Sequence, residues 1–220
     1  MTRTIALAGA VIVAVAIAYF GFFRTGPGSS ELIAPANAQT ANVDVSSVVE
    51  MSLGQADAPI TIVEYASFTC PHCAAFHADN FKKLKSDYID TGKVRLVYHD
   101  VYFDKYGLWA SLVARCGGPE KFFGIADLLY KSQSTWVRAE EPNGIVEELK
   151  KIGRLAGIEQ DKLDACMTDK TQAETLVAWF QQNATRDQVN ATPSFIVNGK
   201  MVKNMPWDEF KAVLDAELPK

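Results

Sequence analysis

Ser67-Phe68-Thr69-Cys70-Pro71-His72-Cys73 is the stretch whose reading decides the fold. A strand-like run, Ile60-Thr61-Ile62-Val63-Glu64-Tyr65, leads into it, and a helix-like run follows. Paired cysteines with a C-x-x-C spacing at a strand-to-helix junction read as a redox dithiol. The unpaired N–H groups of a helix's first turn, together with its dipole, favour a thiolate at Cys70 and lower its pKa. Pro71 suits the first helical position, where an N–H would be unpaired anyway. Cys73 falls on the stripe Cys73, His77, Phe81, Leu84, Tyr88, spaced as one helix face. The spacing predicts Cys73 as the buried, resolving sulfur and Cys70 as the exposed, attacking one. The bland alternative is half a zinc site, but that needs two more ligands, and no second C-x-x-C or H-x-x-x-H is present. No metal and no cofactor is expected.

Two neighbours of the dithiol are further candidates. His72 sits between the cysteines, where an imidazole favours the Cys70 thiolate; a solvated loop histidine is the alternative. In the preceding strand, Ile60, Ile62 and Glu64 alternate onto one face. A carboxylate on an apolar face is a functional candidate, the alternative being an exposed glutamate at the strand end.

Cys-Pro-His-Cys after a strand carrying an acidic residue resembles the DsbA family of the thioredoxin superfamily. A second matching feature comes late, at Thr192-Pro193 before Ser194-Phe195-Ile196-Val197, where that superfamily carries a cis-proline loop facing the active site. The resemblance runs from about Val43 to the C-terminus. It implies a catalytic set of Cys70, Pro71, His72, Cys73 and Glu64, with Glu64 taking and returning the Cys73 proton. It also implies substrate docking at Thr192 and Pro193. One departure matters: DsbA itself has valine before the cis-proline, whereas the superfamily's isomerases often have threonine, as here at Thr192.

The 220 residues suit one domain with a targeting segment or an insertion, and 22 basic against 26 acidic residues give no reason to expect nucleic acid. Residues 1–24 read as a signal peptide or membrane anchor. Ile5 to Phe23 is almost wholly apolar between Arg3 and Arg24, and reaches the lower limit for a spanning helix. Ala36-Asn37-Ala38 resembles a cleavage motif far beyond that run, so retention and cleavage both stay open. Residues 25–43, rich in Gly, Pro, Ser, Ala and Asn, read as a flexible tether, and 44–220 as the folded domain.

Within that domain Val45 to Leu53 is expected to hold a short first strand. The helix through Cys73 is expected to run to about Thr91-Gly92. Lys93 to Tyr98 reads as a strand, followed by His99 and Asp100; His99 reads as a solvated loop histidine, the alternative being a place near the active site. From about residue 106 to 186 the pattern is helical. Leu108, Trp109, Leu112 and Cys116 share one face, and Ile145, Leu149, Ile152 and Leu155 another. Asn198-Gly199 marks a hairpin turn, and Pro206 opens a last helix with Phe210, Val213 and Leu214 inward. The fold class is thus α/β: a thioredoxin fold, a central mixed sheet flanked by helices, with an inserted all-helical subdomain.

Cys116 and Cys166 both lie on apolar helix faces. In an oxidising compartment two spare cysteines tend to pair, the alternative being two buried free thiols. The resemblance implies a thiol:disulfide oxidoreductase of the periplasm of a Gram-negative bacterium. It would act as a monomer on folding exported proteins, with a DsbB-type membrane reoxidant, and touch the membrane only through its N-terminal segment. A disulfide isomerase or reductase on the same fold is the alternative. Isomerases of this type add an N-terminal dimerisation domain, for which the segment between Arg24 and Val43 is too short. A metal or thioether-binding chaperone is a third reading, opposed by the lone C-x-x-C and the absence of a nearby methionine cluster.

Overall fold

A computed structural model describes residues 43–139 and 141–219. The apolar run from Ile5 to Phe23, and the tether as far as residue 42, lie outside them. Among the described residues no helix is long and apolar enough to cross a membrane.

The strands are β1 (Met51–Leu53), β2 (Ile60–Ala66), β3 (Val94–Asp100), β4 (Ser194–Val197) and β5 (Lys200–Lys203). They form one sheet in the order β1-β3-β2-β4-β5. Only β2 and β3 run parallel; β1, β4 and β5 are each antiparallel to a neighbour. Crossing between the parallel pair are α1 (Pro71–Ala78), α2 (Asn80–Leu84) and a π-helical turn (Lys85–Ile89). Between β3 and β4 come α3 (Lys105–Cys116), α4 (Pro119–Lys131), α5 (Gln133–Trp136), α6 (Pro142–Leu155), α7 (Gln160–Thr168) and α8 (Lys170–Arg186). The last helix is α9 (Trp207–Glu217). This is a thioredoxin-like fold: a mixed sheet carrying helices, with a block of helices inserted between β3 and β4.

Apolar alternation along β2 and β3 builds one core. Ile60, Ile62, Leu96, Phe195 and Val197 pack there with Phe76 of α1, Leu84 of α2, and Phe210 and Leu214 of α9. A second core joins Phe68, Cys70, Cys73 and Tyr98 to Val113, Phe122, Leu129, Trp136 and Leu149 of the helical block. The dithiol therefore sits where the helical block meets the sheet. Cys116 and Cys166 form a disulfide with sulfurs 2.10 Å apart, tying α3 to α7. Asn198 and Gly199 both take positive φ, as a two-residue hairpin turn of the twisted type requires.

Four details differ from the sequence reading. The first strand is shorter, because Ser46 N–H is drawn to Asp44 Oδ1 and Val48 N–H to Val45 O, a local turn that competes with pairing. The helix after Cys73 is broken at Asp79 (φ −112°, ψ −69°), yet Leu84, Tyr88 and Ile89 still reach the core. His99 belongs to β3 rather than to a solvated loop, and Asp100 ends the same strand. Pairing with Tyr65 and Ala66 carries the strand on, and both side chains are buried. Leu155 is 72% exposed, because α6 ends there; a turn at Gly157, at φ +75°, folds the chain back so that Ile158 buries instead.

Candidate active site

Cys70 is the N-cap of α1, with extended backbone (φ −82°, ψ 118°), and Pro71 stands at the first helical position. Its N–H donates to Ser67 O at 3.1 Å and its own carbonyl accepts from Ala74 N. Cys73, a turn on, is wholly buried, and both thiols are free. Cys70 departs from expectation in being only 8% exposed, though it remains the more open of the two. The loop before β4 covers it. The Thr192–Pro193 bond is cis, and Cys70 Sγ lies 3.5 Å from Thr192 O. Ser194 Oγ donates to Ala191 O at 2.8 Å and closes that loop.

The electrostatics of the two sulfurs are opposite. The Cys70 thiol is lowered to about 5, chiefly because the Cys73 thiol hydrogen-bonds its anion. Burial opposes this, while Thr192 and the backbone N–H groups of Cys73 and His72 add to it. The Cys73 thiol is pushed far above its ordinary value, first by burial, then by the Cys70 sulfur and, more weakly, by the charge of Glu64. One sulfur is thus an anion at neutral pH and the other a neutral donor to it. His72 is exposed, and what it offers from the backbone is the N–H of a helix's first turn.

Glu64 is fully buried, and its Oε1 lies 2.9 Å from His77 Nε2. The opposite carboxylate oxygen, Oε2, is buried with no hydrogen-bond partner. His77 stands four residues beyond Cys73 on the same helix, so the two share a face. The sequence put His77 on the apolar stripe but gave it no partner; a titratable residue among apolar ones at that spacing was the available signal.

The loop from Ser67 to Cys70 is held from the helical block by residues that sequence reading did not single out. Gln133 Nε2 donates to the carbonyls of Phe68 at 2.7 Å and Cys70 at 3.0 Å. Thr69 Oγ1 donates to Asp104 Oδ2 at 2.9 Å, and the same carboxylate caps α3 by accepting from Tyr106 and Gly107 N–H. The loop and α3 approach closely at Gly107, where a Cβ would stand 3.3 Å from Ser67 Oγ. Opposite, Tyr65 OH donates to Asp187, linking β2 to the segment that precedes the cis loop.

The family model described as thioredoxin matches residues 46–216. A Rickettsia bellii protein named as a protein-disulfide oxidoreductase is 36% identical over 167 residues, which cover 76% of this chain and 63% of that protein. The chain therefore spans less than two thirds of that relative's length. Disulfide bond formation protein D of Bacillus subtilis is 28% identical over 176 residues, 76% of each chain. Among solved structures, Wolbachia pipientis alpha-DsbA1 aligns with a TM-score of 0.70 and 27% identity over 76% of this chain and 89% of that one. Oxidised BdbD from Bacillus subtilis aligns with a TM-score of 0.68 and 26% identity, over 76% and 92%. With the matched model covering most of its length, the chain belongs to the thioredoxin family, and its fold is similar to that of the DsbA-like structures.

Proposed function

We propose that this protein is a thiol:disulfide oxidase that passes the Cys70–Cys73 disulfide to folding exported proteins. The observation that carries this is the placement of the two sulfurs: Cys70 caps α1 against the cis Thr192–Pro193 loop and Cys73 is wholly buried a turn on, which lowers the Cys70 thiol to about 5 and raises that of Cys73. A substrate thiolate attacks Cys70 Sγ, the Cys70–Cys73 bond breaks, and Cys73 leaves and takes up a proton. A second substrate thiolate then attacks the substrate sulfur of the mixed disulfide. Cys70 leaves as a stable anion, so both rate and equilibrium push disulfides outward. Pro71 starts the helix that presents Cys70, and His72 further favours its anion. Glu64 exchanges the Cys73 proton. Substrate lies extended along Thr192 and Pro193, by main-chain bonding in the manner of an added strand.

The compartment is the periplasm of a Gram-negative bacterium, reached through residues 1–24 as signal or inner-membrane anchor, and a DsbB-type membrane protein reoxidises the dithiol. Thr192 before the proline favours a second reading, an isomerase or reductase. The deciding experiment supplies the protein to a reduced, unfolded substrate and, separately, to a scrambled one. An oxidase activates the first far faster than the second, and an isomerase does the reverse.

A further inference from the structure

The fully buried Glu64 has no route of its own to water. It stands on β2 beside Tyr98 of β3, and its side chain's one hydrogen-bonded neighbour is His77. His77 lines a cavity of about 70 Å³ between α1 and α4, room for a few water molecules. Ala74, Ala78 and Tyr130 complete its walls, and Lys82, Asp127 and Lys131 form a charged rim. The imidazole is clamped between two rings, with centroids 4.6 Å from Phe81 and 4.2 Å from Tyr130, each within 27° of parallel. Burying a carboxylate and an imidazole together is a poor way to gain stability, since apolar replacements are often neutral or better. We infer that His77 relays protons between Glu64 and the water-accessible cavity, and so sets the rate at which Cys73 is protonated and deprotonated.

This rests on the exchange reaction proposed above. When Cys73 resolves a mixed disulfide, its S–H proton goes to Glu64 and its electron pair forms the new bond to Cys70. The departing thiolate takes up its own proton from solvent. The proton on Glu64 crosses the 2.9 Å bond to His77 Nε2, and the ring releases one to water on its cavity side. In the oxidase direction the same path runs backwards and supplies the proton that the leaving Cys73 sulfur needs. His77 is a positioning residue here, acting on Cys73 through Glu64. The groups facing the pair are Cys73 on α1, Tyr98 on β3, Tyr130, Asp127 and Lys131 on α4, and Lys82 on α2. The two tyrosines are bonded to each other at 2.6 Å and burial holds both phenols protonated, so neither carries the proton itself.

The test mixes the reduced full chain with oxidised glutathione and follows both steps: formation of the mixed disulfide at Cys70, then release of the second glutathione by Cys73. His77→Gln keeps an amide donor for Glu64 but carries no proton, and His77→Phe keeps the ring stack. Ala78→Leu closes the cavity mouth from an exposed helix end, so it decides the matter should the buried variants fail to fold. The relay predicts an unchanged first step and a second step slowed roughly tenfold or more. It also predicts that the slowed rate climbs with pH, as solvent hydroxide replaces the relay. Folded variants that resolve at the wild-type rate with the wild-type pH profile overturn it. If Glu64→Gln alone is slow, the relay is overturned and the role of Glu64 stands. A wild-type chain that never forms the mixed disulfide overturns both the relay and the exchange reading.

Discussion

Gln133 Nε2 lies 3.0 Å from the carbonyl oxygen of Cys70 and 2.7 Å from that of Phe68, so one amide from the helical block spans the backbone just before the dithiol. The insertion is thereby joined to the chemistry at the level of the loop. Gln133→Leu removes both bonds within a buried setting, at a cost of roughly 1–3 kcal/mol. Urea unfolding of the oxidised protein should show that loss, and exchange at Cys70 should slow as the loop loosens. An unchanged midpoint and rate would mean that the amide merely fills space.

The Cys116–Cys166 disulfide ties α3 to α7 within the helical block. It closes a loop with a sequence separation of 50, which the chain-entropy model values at about 4 kcal/mol. The double variant C116A/C166A should unfold at markedly lower denaturant while its Cys70 thiolate titrates as before. A shift in that titration would show that the disulfide also shapes the active site.

Much of this could be read in the chain. The alternation of Ile60, Ile62 and Glu64 gave the buried face of β2, and Asn198-Gly199 the last hairpin, because both depend on local periodicity or turn chemistry. The partners of buried polar groups could not be read that way. His77 reaches back 13 residues to Glu64, and Gln133 reaches 63 to Cys70. Asp100 lies just past the strand expected over Lys93 to Tyr98; its neutralisation by Arg115 at 2.6 Å, buried against Phe122 and Trp179, comes from a different element. Long-range polar pairing leaves no mark on local spacing.

His72 provides a cleaner separation of causes than its place in the motif suggests. Its backbone N–H faces the Cys70 anion whatever the side chain, and the imidazole itself is exposed. His72→Ala keeps the first contribution and removes the second. The proposed tuning role predicts a higher Cys70 pKa and a more reducing dithiol. Glutathione equilibration measures the change, a tenfold shift being about 30 mV. If neither quantity moves, the helix terminus and Cys73 carry the whole effect.

Stability should depend on pH differently in the two redox states. In the reduced protein the folded Cys70 value, about 5, lies below the unfolded thiol value of about 8.5. Its contribution is therefore complete above the unfolded value and fades as pH falls through about 5. The oxidised protein has no such thiol. His99, lowered to about 4 chiefly by burial, weakens both states alike below about pH 6.5 and so cancels from the difference. Paired denaturation curves should show the reduced form gaining on the oxidised one from pH 5 to 8, and the gain vanishing near pH 4. A gap independent of pH would contradict an anionic Cys70.

One sulfur of the pair is ionised at neutral pH and the other is not. Thiolate absorbance of the reduced chain, titrated against pH and paired with site-resolved alkylation at pH 7, addresses it most directly. A single ionisation with a midpoint near 5, assigned to Cys70, and no alkylation of Cys73 are expected. A midpoint in the ordinary thiol range, or equal labelling of both cysteines, would contradict it.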